Sequence, residues 1–457
     1  PDISAADTIN WEPELVEAEG RSRLVLRTPW GCTSFAETQA ATARGLIEWN
    51  SIVYAVVGTT LYGIDVDGVV SNLGTIAGSG QVSMQITSGK LVIAAGVSGG
   101  YIYDTSAGLT SITDVQYPDP DTIAFIDQYI IADNGGGGST WHISALNDPS
   151  EWTDPDPGDG TVRSASAESS PDSVVAVFAD HEQALIFGSR TIEVWLNTAA
   201  GLFTFSRSQG STITTGISAK FSLQAVDNSV VWLDELGVVR RLADGFAQRI
   251  SSTAIEQDIQ ASEFASAYST QYRRNGHWYY VLHLPNGKTW VYDALLAAQL
   301  GHQNAWFRRE SKNIAGWRIG HMVRAWGGWY GLDKSAGTLW QMSGSVYAEG
   351  SDELTRERIS APYHGNGNWF QVMEVRLEVE TGKAAPGLEP VIELATSKSG
   401  SFDRMTANYK TRSLGTTGQY RKKISFRRLG RFREAIVSVR VTDAVKSDLL
   451  VAEAKVI

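Results

Sequence analysis

The sequence predicts an all-β chain: a six- or seven-bladed β-propeller followed by a C-terminal β-sandwich-like domain. Amphipathic helical periods are scarce, and short apolar strands alternate with Gly, Asp, Asn or Pro along most of the chain. Fifteen Trp, sixteen Tyr and 45 Gly suit sheet faces joined by tight turns. A two-strand phrase recurs seven times at a spacing close to that of a propeller blade.

Residues 1–40 read as an N-terminal arm with the first strands, and 41–350 as the propeller. The phrase is a hydrophobic strand, a turn, and a second strand often ending in an aromatic residue or Asp. It runs "IVYAVVGTTLYGID" (52–65), "KLVIAAGVSGGYIYD" (90–104), "QYIIADNGGGGSTWHIS" (128–144) and "QALIFGSRTIEVWL" (183–196). It continues as "SVVWLDELGVVRRL" (229–242), "HWYYVLHLPNGKTWVYD" (277–293) and "GWYGLDKSAGTLWQM" (328–342). Anchored on Tyr54, Leu91, Tyr129, Leu185, Val231, Tyr279 and Trp329, the gaps are 37, 38, 56, 46, 48 and 50 residues. One such hairpin cannot bury both its faces, whereas blades packed radially cover one another. Two ordinary β-sandwiches with similar hairpins are the alternative. A first or last blade completed by a strand from the other terminus leaves the count at six or seven.

Two helices interrupt this pattern. Over 253–268, Thr253 and Glu256 have capping-box spacing, and Ile255, Ile259 and Phe264 mark an apolar side. "ALLAAQL" (294–300) reads as a shorter helical turn. Residues 351–457 then carry the segments "WFQVMEVRLEVE", "PVIELATS", "KKISFRR", "EAIVSVRV" and "LLVAEAKVI", which suit a compact sandwich. In "EAIVSVRV", Ala435, Val437, Val439 and Val441 share one face.

The single cysteine, Cys32, excludes an intramolecular disulfide and reads as a buried thiol. No apolar run approaches the ~20 residues of a membrane span. "PDISAADTIN" lacks a basic and an apolar region, so no secretory signal is expected.

Catalytic patterns are weak. "NGKTW" (286–290) lacks the first glycine of a phosphate loop and reads as a turn. The seven histidines form no metal-ligand pair with helical spacing. "DNGGGGSTW", "PNGKTW" and "SKSGSF" faintly resemble the Asp-box turns of sialidases, but those turns bring no active site, and spacing selects no carboxylate pair. A propeller glycan hydrolase and a non-viral propeller scaffold remain as alternatives. The aromatic stretches "GHWYYVLHL" and "RAWGGWYGL" read as blade core rather than binding platforms. No catalytic residue, metal site or cofactor is expected.

Several phrases occur in an order that resembles the tail hub, or nozzle, proteins of short-tailed bacteriophages, also called packaged-DNA stabilisation proteins. They are "GSGQVSM" (78–84), "HEQALIFGSRTIEVW" (181–195), "SSTAIE" (251–256), "HLPNGKTWVYD" (283–293) and "RRLGRFREAIVSVRVT" (427–442). The opening "INWEPELVE…LRTPWGCTSF" (9–35) is also similar, with Trp30 inserted in a turn that reads "TPG" in the family. The resemblance implies a non-enzymatic virion protein, a homo-hexameric ring below the portal and its adaptor ring. Such a ring extends the DNA channel, helps retain packaged DNA, and anchors tail needles, spikes or fibres. It also implies a place in the virion tail, after synthesis in the bacterial cytoplasm.

The net charge is −11, unevenly spread. Residues 352–457 hold 18 Lys/Arg against 13 Asp/Glu, which leaves residues 1–351 at about −16. A predominantly acidic lumen suits a conduit for DNA, because each cation that neutralises a phosphate adds affinity through counterion release. The basic run at 404–440 has eleven Lys/Arg and one acid, Glu434. Subunits that meet head to tail present unlike surfaces, so Arg421, Lys422, Lys423, Arg427, Arg428, Arg431 and Arg433 are expected to serve assembly. Contact with packaged DNA and a merely solvated strand face are the alternatives. "PDPDT" (118–122) and "TDPDPGDGT" (153–161) read as exposed loops.

Overall fold

The computed structural model of the chain describes residues 7–16, 24–153, 163–201, 203–380, 388–398, 401–415 and 418–457. It divides into two compact units, one of residues 34–286 and 319–341, the other of residues 1–33, 287–318 and 342–457.

The first unit is a propeller with seven inner strands: Ala43–Trp49, Ser83–Thr87, Ile123–Ile126, Val174–Asp180, Gln224–Ala225, Tyr268–Arg274 and Ile319–Ala325. Each turns back into an antiparallel second strand. All seven anchor residues of the repeat lie on those second strands. The turns are Asn50-Ser51, Ser88-Gly89, Asp127-Gln128, His181-Glu182, Asp227-Asn228, Asn275-Gly276 and Trp326-Gly327. Both residues of every turn have positive φ, between 44° and 86°. This is type I′ geometry, whose twist matches the right-handed twist of the strands it joins. Gln128, His181, Glu182 and Trp326 adopt it despite their Cβ atoms, because strand pairing on both sides leaves two residues to reverse the chain.

Five of the blades are complete four-stranded meanders. In the seventh, residues 34–37 run beside residues 338–341, so a strand from early in the chain closes the ring. Thr338 Oγ1 donates to Glu37 Oε2 at 2.7 Å, and the Thr38 amide donates to the Gly337 carbonyl at 2.9 Å. The seventh inner strand packs against both the sixth and the first. Seven blades is thus the count that the sequence left open.

Apolar clusters fill the wedges between blades. Val92, Ala94, Ile123, Ile130 and Ala132 join the second blade to the third. Phe187 and Trp232 meet edge to face at 5.5 Å between the fourth and fifth. In the stretches read as blade core, Tyr279, Tyr280 and Tyr330 are buried. The axis holds a cavity of about 260 Å³ to which every blade contributes, with Gly45, Gln85, Ile123, Val177, Gln224, Ser269 and His321 among its lining. That is room for a cluster of solvent molecules, not for a duplex.

Two polar groups tie the chain near one end of this axis. Arg44 is buried and donates to the carbonyls of Gly58, Ile76, Ala77 and Gly80 at 2.6–3.0 Å. Asp133 is buried and accepts from the Asp121 amide, the Thr122 amide and Thr122 Oγ1 at 2.8–3.1 Å. Burial pushes its carboxyl up to about 7, against those three bonds. Asp121 itself pairs with Lys220. The "PDPDT" stretch is therefore anchored into the propeller rather than a free loop. Most of the second Pro-Asp stretch, 154–161, lies outside the described residues.

The helix expected over 253–268 is shorter, Thr253–Gln260, followed by a 3-10 turn at Phe264–Ser266. Its N-cap is Ser252, with no side-chain cap bond. Glu256 instead takes Arg249 and Ser251 as partners, at 2.6–2.7 Å, so the capping box does not form. A charged partner from the preceding strand outcompetes the local backbone bond.

The second unit is a two-sheet sandwich. One sheet orders Thr289–Asp293, Trp306–Arg309, Asp7–Ile9, Arg356–Ile359, Glu434–Val441, Val391–Ser397 and Lys410–Ser413. The other orders Glu12–Leu15, Leu24–Arg27, Asp448–Val456, Phe370–Glu380 and Arg421–Phe432. Trp11, Phe370, Leu377, Ile392, Phe426 and Val439 are among the residues of the shared core. Ala294–Leu300 is the expected short helix, with Asp293 capping the Leu295 and Leu296 amides at 3.0 and 3.2 Å. Asp448 fastens the early strands to the late ones, accepting from the amide and hydroxyl of Thr28 at 2.8 and 2.7 Å.

Replacing Arg44 with Met strands four carbonyls, and the expected loss of propeller stability is about 3 kcal/mol, read from urea unfolding. Between pH 3.8 and about 7 the folded chain holds a proton on Asp133 that the unfolded chain releases. This group's contribution to stability therefore falls as pH rises through that interval. Unfolding curves of Asp133→Asn across the same interval should lack that component.

Candidate interaction surface

Arg421–Phe432 carries six of the seven predicted assembly residues, with Arg433 just past it, at the end of its sheet order beside Phe370–Glu380. Ile424 and Phe426 point into the core, which leaves Lys423, Ser425 and Arg427 on the outer face. Register sets Lys423 opposite Glu378, Arg427 opposite Glu374 and the Arg421 backbone opposite that of Glu380. The basic strand therefore lies beside an acidic one.

Arg427 Nε donates to Glu374 Oε1 at 2.9 Å, and Arg376 Nε donates to Glu374 Oε2 at 2.8 Å. The bond from Arg427, aided by Ser425 and Arg376, pulls the Glu374 carboxyl down to about 2. Elsewhere in the run, Arg404 binds Glu310 and Glu357, and Arg440 binds Glu393 at 2.7 Å. Glu357 is fully buried and also accepts from Tyr409 and Ser438, at 2.6 and 2.5 Å. Lys410 Nζ donates to the Arg428 carbonyl at 3.1 Å. Three of the eleven cations of the run, Arg404, Arg427 and Arg440, are thus seen paired with carboxylates within the unit.

The register changes between Val372 and Glu374, where the basic strand carries one extra residue. Arg428 sits in this bulge at φ 58° and Gly430 at φ 119°, conformations that re-aim the side chains beyond them. Past the bulge, Arg431 and Arg433 are exposed and place their guanidinium carbons 5.7 and 5.1 Å from the ring centre of Trp369. Among the described residues, Arg428, Arg431 and Arg433 make no ion pair with a carboxylate. Lys422 is half-buried, and the Arg421 side chain lies outside the described residues. Of the seven predicted positions, the structure brings Arg431 and Arg433 together around an aromatic ring that the basic run did not point to. The available signal was Trp369 at the mouth of an alternating strand.

Residues 4–347 match the family described as Bacteriophage P22 Gp10, beta-propeller. This chain belongs to that family. A curated relative, the tail hub protein gp10 of Salmonella phage P22, is 27% identical over 274 residues, which is 54% of this chain and 54% of the relative. The chain thus spans about half the length of that tail hub protein. Among solved structures, the N-terminal domain of Nup159 covers 73% of this chain and 98% of its own at 11% identity and a TM-score of 0.41. PorZ of Porphyromonas gingivalis covers 74% of this chain and 44% of its own, at 11% identity and a TM-score of 0.40. BamB of Moraxella catarrhalis covers 73% and 96%, at 9% identity and a TM-score of 0.39. The family match covers the repeat, and the basic strand lies beyond it.

Among the described residues, no group of three or more His, Cys, Asp or Glu is placed to hold a metal ion. Cys32 is buried, and no helix is long and apolar enough to cross a membrane.

The Glu374 carboxyl should titrate near 2 by NMR, and Arg427→Ala should bring its midpoint back toward 4.5. Because the folded value is depressed, this pair stabilises the unit above 4.5 and is lost as pH falls through about 2.

Proposed function

We propose that the chain is a structural, non-enzymatic protein of the virion tail of a short-tailed phage. Six copies form a hub or nozzle ring below the portal-adaptor. The ring extends the DNA channel, helps retain packaged DNA, and anchors a needle, spikes or fibres. The observation that carries this reading is membership of the phage tail hub family across residues 4–347. The propeller supports it as a rigid wall element. Its axial cavity, about 260 Å³, is too small for a duplex, so in this reading the DNA channel runs between copies rather than through a blade ring. At −11 per chain a ring of six carries about −66, and an acidic lumen lets duplex DNA pass without sticking. The cations Arg421, Lys422, Lys423, Arg427, Arg428, Arg431 and Arg433 serve assembly against an acidic neighbour or the adaptor.

Particles made without the chain are expected to package DNA and then lose it, with purified chain restoring retention and a ring visible below the adaptor by electron microscopy. Particles that hold DNA and infect without the chain overturn the proposal. Arg428→Glu with Arg431→Glu should abolish ring or adaptor binding while the monomer unfolds as the wild type does.

A further inference from the structure

The bulge at Arg428 divides the outer face of the Arg421–Phe432 sheet into two chemically different zones. Before it, Glu374, Arg376, Glu378, Lys423 and Arg427 alternate in sign and satisfy one another in part. Beyond it Glu434 faces His364 at 3.7 Å, and Arg431 and Arg433 pair with no carboxylate among the described residues. Trp369 is 55% exposed beside Arg431 and Arg433, and Met373 is 39% exposed.

We infer that this second zone is where another copy of the chain docks, with Trp369 as the apolar anchor and Arg431 and Arg433 receiving carboxylates of the neighbour. The inference rests on the ring proposed above and narrows its contact to the post-bulge surface. An exposed cation–π contact is worth only about 0.5–1 kcal/mol, so it gives little folding return for leaving Trp369 in water. An exposed Trp flanked by two Arg that pair with no carboxylate among the described residues has the composition of an interface hot spot. Charge complementarity selects the occupant: residues 1–351 carry about −16, so a second copy supplies the missing carboxylates. A duplex offers phosphates to the two arginines but no apolar surface to Trp369 and Met373. The contact joins unlike surfaces, as head-to-tail closure requires.

The test places a photoreactive benzophenone residue at Gln371 of the full chain, in an equal mixture of heavy- and light-isotope copies assembled into rings. Heavy–light cross-links to acidic segments within 1–351 are expected. Rings that form while cross-links go only to DNA, to another protein or to nothing overturn this placement. A chain that forms no ring overturns the reading beneath it. Independently, Trp369→Ala with Arg433→Glu should weaken self-association by about tenfold or more, while Arg376→Ala, before the bulge, leaves it unchanged. Equal loss in both variants, with unfolding curves like the wild type, also overturns the inference.

Discussion

The fold of the first unit depends on covering small sheets that are apolar on both faces. Val53, Ala55 and Val57 alternate with Tyr54, Val56 and Leu61 in the clusters on either side of the first blade. Neither set can be left in water, and no helix layer is present to cover them. Radial stacking meets the requirement with one device, because each blade is the lid of the next. The I′ turns, the packed axis and the closure by residues 34–37 all follow from fitting seven such sheets into a ring.

The repeat was legible because burial acts on every blade alike. Six of the seven anchor residues recur as buried core positions, with Trp329 half-buried, even where the gaps vary from 37 to 56 residues. Loop insertions absorb that variation without touching the period. The seventh blade was ambiguous because its last strand comes from residues 34–37, and local pattern carries no information about a partner so distant. The capping box failed for a related reason. Thr253 and Glu256 have the right spacing, but Arg249 from the preceding strand occupies the carboxylate.

The basic run shows the same limit at the surface. Eleven cations against one acid look like a strongly positive face when read along the chain. Strand register then brings Glu374, Glu378 and Glu380 alongside, from some fifty residues away in sequence. Arg404, Arg427 and Arg440 are paired off within the unit, and a bulge turns Arg431 and Arg433 toward Trp369. Net charge along a strand measures the sum. Only pairing across the sheet shows what remains for a partner.

Closure of the propeller has a consequence for how the protein is made. Glu37 and Thr338 are 301 positions apart, yet their strands seal the ring. Bringing such distant segments together is an entropic cost met before most of its reward, which slows folding. During synthesis the early sheets wait with bare end faces until the last inner strand emerges from the ribosome. That interval is when the nascent polypeptide is most open to aggregation and most in need of a chaperone.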